Sequence, residues 1–129
     1  MGMGYSASAG YTLSIENIKK LLPEQYKELE KCIEEEEQDI ESFFMYYQDF
    51  EGEKSLEALE KLCKSFEELT TVRNECLTIE PFFHDSDNEG DRYDDINGAF
   101  FIVGNVLKPT APYLKFTEYI EHSSWVSFG

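Results

Sequence analysis

The stretch Val72-Arg73-Asn74-Glu75-Cys76-Leu77-Thr78-Ile79-Glu80-Pro81-Phe82-Phe83 is where the chain changes its period. Before it, Leu56, Leu59, Cys63, Phe66, Leu69 and Val72 recur at steps of three or four, the apolar stripe of an amphipathic helix that Ser55 opens after a break at Gly52. Within it, Leu77 and Ile79 alternate with Thr78 and Glu80, the period of two that puts successive side chains on opposite faces of a strand. Proline has no N–H to give to a neighbouring strand, so Pro81 points to an edge position or a bulge.

Towards the N-terminus the same two periods recur. Tyr5, Ala7, Ala9, Tyr11 and Leu13 alternate with small polar residues and predict an opening strand. Ser14 can cap a short helix carrying Ile15, Ile18, Leu21 and Leu22, which Pro23 ends. Pro23 suits the first turn of a second helix, and Tyr26, Leu29, Ile33, Ile40, Phe43 and Tyr47 keep helical steps apart from a gap at Glu36 and Glu37. One long acidic amphipathic helix is the expectation, packed against the helix that follows Gly52. Towards the C-terminus, Phe100 to Val103 predict a strand, and Gly104-Asn105 a hairpin turn into Val106 and Leu107. Thr110 and Pro112 suit the start of a last short helix with Leu114, Phe116, Tyr119 and Ile120 on its buried side, and Trp125, Val126 and Phe128 a closing strand. Strands and helices do not alternate as βαβ units would. The chain therefore reads as one α+β domain over residues 1–129, with a mainly antiparallel sheet of about four to five strands and a helical layer on one face.

The 129 residues include 19 aromatic rings, enough apolar surface to order the chain. They also include 27 acidic and 11 basic side chains, a formal charge of −16 that opposes unassisted binding to nucleic acid or anionic lipid. Residues 24–53 contain twelve acids and two bases, Lys27 and Lys31; residues 80–95 contain seven acids and Arg92. These two segments account for the whole −16, and the rest is close to neutral.

Glu30, Glu34, Glu37 and Glu41 would form a row along one helix face, where like charges repel by about 0.2–0.5 kcal/mol per pair. Glutamate also favours helices and solubility, which is the bland account of the same residues. The functional account has Glu28, Glu30, Glu34, Glu35, Glu37, Asp39 and Glu41 present a ladder of charge to a basic partner, at a density approaching that of a phosphate backbone. Beside the ladder stand Phe43, Phe44, Met45, Tyr46, Tyr47 and Phe50. Burial under the sheet explains that cluster, and Tyr46 and Tyr47 as anchors within an acidic rim, or a surface for self-association, explain it otherwise.

His84 to Asp95 invites comparison with a calcium loop, because Asp85, Asp87 and Glu89 fall at alternate positions ahead of Gly90. The match then fails: the twelfth position is Ile96 where a bidentate glutamate is needed, the eighth is Arg92, and the flanks read as strands. A looser Ca²⁺ or Mg²⁺ site would use Asp85, Asp87, Glu89 and Asp91 or Asp94. The alternatives are a solvated connection or a second anionic patch in which Asp87, Glu89 and Asp91 meet the same partner.

No catalytic constellation emerges. Gly2-Met3-Gly4-Tyr5-Ser6-Ala7 matches a dinucleotide string without the strand that must precede it. His84 and His122 lack a nucleophile arrangement, and His122 near the end of the last helix suits that helix's dipole. Cys32, Cys63 and Cys76 lack metal-ligand spacing and read as free thiols. Met1 to Ala9 has no basic or apolar leader character, and Ala99 to Val103 is too short to cross about 30 Å of hydrocarbon, so the cytoplasm is expected.

In charge and size the chain resembles small acidic DNA-mimic inhibitors of phages and mobile elements, a likeness of composition with no shared motif. It implies a non-enzymatic protein, acting without a cofactor, that blocks a basic, nucleic-acid-binding protein such as a host defence nuclease. The alternatives are a divalent-cation module at Asp85–Asp95 and a homo-oligomeric adaptor using Phe43–Phe50.

Overall fold

The computed structural model describes residues 5–49, 52–84, 98–106 and 114–128. Strand β1 (Tyr5–Ser14) leads into helices α1 (Ile15–Leu21), α2 (Pro23–Glu35) and α3 (Ile40–Tyr46), then a single 3-10 turn (Tyr47–Asp49) and helix α4 (Glu53–Thr70). Strands β2 (Thr78–His84) and β3 (Gly98–Gly104), the one-turn helix α5 (Leu114–Thr117) and strand β4 (Glu121–Phe128) follow. The four strands form one antiparallel sheet in the order β2-β3-β1-β4, so the α+β expectation holds. Pro81 lies on an edge strand, where its missing N–H costs no ladder bond.

One sheet face carries Leu13, Ile79, Phe101 and Val103 into a core shared with Ile18, Leu29, Ile33, Phe43, Phe44, Leu62 and Phe66 from the helices. Register places Leu13 opposite Phe101, and the Phe44 ring meets Phe101 edge-on at 5.1 Å. On the other face Phe82 packs on Phe100, and the buried hydroxyls of Thr12 and Ser123 bond each other at 2.9 Å.

Local chemistry sets the element ends. The Ser14 hydroxyl accepts from the Asn17 amide and caps α1. At the close of α4, the fully buried Thr70 hydroxyl donates to the Phe66 carbonyl at 2.9 Å and accepts from the Leu77 amide at 2.9 Å. Between them the chain reverses through Arg73 and Asn74, both with positive φ, inside a Val72–Glu75 bridge. This reversal produces the change of period.

Four expectations need correction. The long second helix is two helices: Glu37 takes a left-handed φ of 60°, and Asp39 starts α3 afresh by accepting from the Ser42 amide at 2.7 Å. Ser55 lies inside α4, which begins at Glu53, and the apolar stripe is rotated: Ala58, Leu59, Leu62 and Phe66 are buried while Leu69 is exposed. The strand after Gly104-Asn105 is not formed at Val106, because β3 is already flanked by β2 and β1; Leu107, Thr110 and Pro112 lie outside the described residues. His122 stands in β4, not at a helix end, with its ring edge-on to Tyr11 at 5.4 Å.

Candidate functional site: an acidic corner with an aromatic groove

The break after α2 redistributes the acidic residues. Glu30 and Glu34 share the exposed side of α2, but Glu37 has left the helix and Glu41 belongs to the first turn of α3, so the row of four glutamates is not continuous. Glu28 and Glu35 also occupy α2, where with Glu57 of α4 they line a groove shared with Lys31, Lys54 and Lys61. Charge is locally balanced there. The outer face of α2 is therefore not a pure anionic panel.

Residues 36–53 are different. They hold seven acids, Glu36, Glu37, Asp39, Glu41, Asp49, Glu51 and Glu53, with no lysine or arginine. A turn at Glu36 and Glu37, then α3 and the 3-10 turn, leave Glu37, Asp39, Glu41, Asp49 and Glu53 exposed to solvent. The corner is held by two carboxylates. Glu36 Oε1 accepts from both the amide and the hydroxyl of Ser55 at 2.7 Å, supplying from α2 a cap that α4 lacks at its own Gly52. The Asp39 carboxyl is lowered from its usual range, chiefly by the Ser42 amide that it caps.

Within α3 the aromatic run divides by face. Phe43 and Phe44 are buried, Tyr47 is half-buried, and Met45 and Tyr46 project with 44% and 59% of their surfaces exposed. Burial thus accounts for Phe43 and Phe44, in part for Tyr47, and leaves two large side chains in water. Phe50 lies outside the described residues. Between this end of α3 and the edge strand β2 runs a groove of about 280 Å³, lined by Met45, Tyr46, Tyr47, Pro81 and Phe83 and carrying Asp49 and Glu80. No lysine or arginine is among its described lining residues. The Tyr47 hydroxyl donates to Glu80 Oε1 at 3.2 Å, joining the two walls. Burial raises the Tyr47 phenol, and the Glu80 charge adds to it, so it stays a neutral donor.

Composition had marked Asp49 and Glu80 only as members of two separate acidic segments; the fold brings them to one groove. The only sequence signal for this was Pro81, which placed β2 at an edge.

Asp85, Asp87, Glu89 and Asp91 lie outside the described residues, and with them the calcium-like loop. Among the described residues no group of three or more His, Cys, Asp or Glu side chains is placed to hold a metal ion. Cys32, Cys63 and Cys76 are free thiols, Cys63 pushed up to about 12 by burial and then by the charges of Glu67, Glu80 and Glu60. No described helix is long and apolar enough to cross a membrane. Comparison with protein-family models, curated proteins and solved structures finds no match for this chain.

Proposed function

We propose that this protein is a non-enzymatic binding protein that docks onto a basic surface of another protein, of the kind that receives nucleic acid, and so occupies it. The observation that carries the reading is the segment 36–53, whose sequence has seven acids and no base, with Glu37, Asp39, Glu41, Asp49 and Glu53 exposed along with the large side chains of Met45 and Tyr46. Solubility alone does not require such segregation, since a surface with both signs interspersed and a net charge away from zero already supplies it. An acidic rim around Met and Tyr anchors is the composition expected of a surface that steers a cationic partner and then holds it by desolvated contacts. In this reading the corner leads, and the exposed Glu30 and Glu34 of α2 extend it.

Affinity capture from a cell lysate at low and high salt tests the proposal when wild type is compared with two charge-reversed variants. One carries Glu37→Lys, Glu41→Lys and Glu53→Lys in the corner; the other carries Glu16→Lys, Glu75→Lys and Glu118→Lys at exposed sites elsewhere. The expected result is a basic protein retained at low salt, lost with the corner variant and kept by the other. Equal loss with both variants, or capture indifferent to salt, would discard the reading.

A further inference from the structure

The groove between α3 and β2 has chemistry that narrows the partner further. A proline in a paired strand must turn its nitrogen away from the neighbour, so Pro81, opposite Phe101, leaves the outer edge of β2 without an N–H at its centre. Addition of a partner strand along that edge is disfavoured, and docking by side chains remains. At about 280 Å³ the groove falls just below the volume of small-molecule sites and suits one or two side chains.

Its walls discriminate between cations. An ammonium is a compact, strongly hydrated charge; a guanidinium is planar, weakly hydrated, stacks on aromatic faces and pairs with carboxylates through two parallel N–H groups. The groove offers the exposed Tyr46 ring, an apolar floor of Pro81 and Phe83, and two carboxylates, one of which is oriented by the Tyr47 hydroxyl. We propose that this groove receives an arginine side chain of the basic partner, its guanidinium stacked against tyrosine and paired with Glu80 and Asp49. The inference rests on the acidic-docking reading and narrows it from positive charge to arginine.

Calorimetric titration with three short peptides, carrying arginine, lysine or glutamine at the same positions, tests it. The arginine peptide should bind about tenfold more tightly than the lysine peptide at physiological salt. Tyr46→Ala and Glu80→Gln should each weaken the arginine peptide by about tenfold and abolish the preference. Both residues are exposed, and thermal melts of the variants confirm that the fold is kept. Equal binding of the two cationic peptides, or groove variants that bind like wild type, overturns the arginine site. If that binding is salt-sensitive and lost in the corner variant, the general docking reading stands. If neither cationic peptide binds even at low salt, both readings fail.

Discussion

Glu36 and Ser55 form the joint between α2 and α4: one carboxylate oxygen accepts from the amide and the hydroxyl of a fully buried serine, each at 2.7 Å. The bond satisfies an orphan amide in the first turn of α4 with a side chain from another helix, and it fixes where the acidic corner turns. Ser55→Ala leaves the amide bond and removes the hydroxyl, so a loss of about 1 kcal/mol in urea denaturation is expected. Glu36→Ala removes both and should cost about 1–3 kcal/mol.

The Asp39 cap has a pH signature. Its native carboxyl ionises more readily than in the unfolded chain because the charged form accepts the Ser42 amide. A lowered native value stabilises above the unfolded value, and that contribution disappears as pH falls through the native one. The stability difference between wild type and Asp39→Asn should therefore be constant near neutrality and shrink below about pH 4. Denaturation midpoints of both proteins across that range measure it.

The rotated stripe of α4 separates two leucines. Leu62 is fully buried, whereas Leu69 is 37% exposed. Leu62→Ala should cost about 2–5 kcal/mol through lost burial and the cavity left behind, and Leu69→Ala no more than about 1 kcal/mol. Paired chemical denaturation curves distinguish them; a larger loss for Leu69→Ala than for Leu62→Ala would place the helix in the other rotation.

Cys63 should be chemically quiet. With its thiol at about 12, roughly one molecule in ten thousand carries the thiolate at pH 8, and the thiolate is the reactive form. Alkylation by iodoacetamide at pH 8, mapped by peptide mass, should leave Cys63 unlabelled in the native protein and label it in urea.

The elements legible in the sequence were those with local causes. Ser14 caps α1 through its own neighbour Asn17, Pro23 separates α1 from α2, and alternation located β1 and β2. The break between α2 and α3 was harder to read, because Glu36 and Glu37 are good helix formers and no glycine or proline interrupts them. What ends the helix is a backbone turn at a residue that does not advertise it: Glu37 takes the left-handed conformation that glycine usually supplies, its amide donates to the Glu34 carbonyl and that of Gln38 to the Ile33 carbonyl, while the Glu36 side chain reaches Ser55, far along the chain. The cap at Asp39 was nonetheless a local signal, with Ile40, Phe43 and Phe44 following it at helical spacing. In α4 the choice between Leu62 and Leu69 turned on a rotation of the apolar stripe, which periodicity defines poorly when apolar residues flank it on both sides. For the candidate site, segregated charge was visible in composition, but the meeting of Asp49 with Glu80 depends on where β2 lies in the sheet.

Displacement of nucleic acid tests the central claim most directly. The basic protein captured by wild type is loaded with a labelled duplex, and the acidic protein is titrated in while fluorescence anisotropy reports the bound duplex. The account expects the duplex to be released, at lower protein concentration as salt is reduced, and the corner variant Glu37→Lys, Glu41→Lys, Glu53→Lys to release none. A ternary complex in which duplex and acidic protein are held together would contradict it.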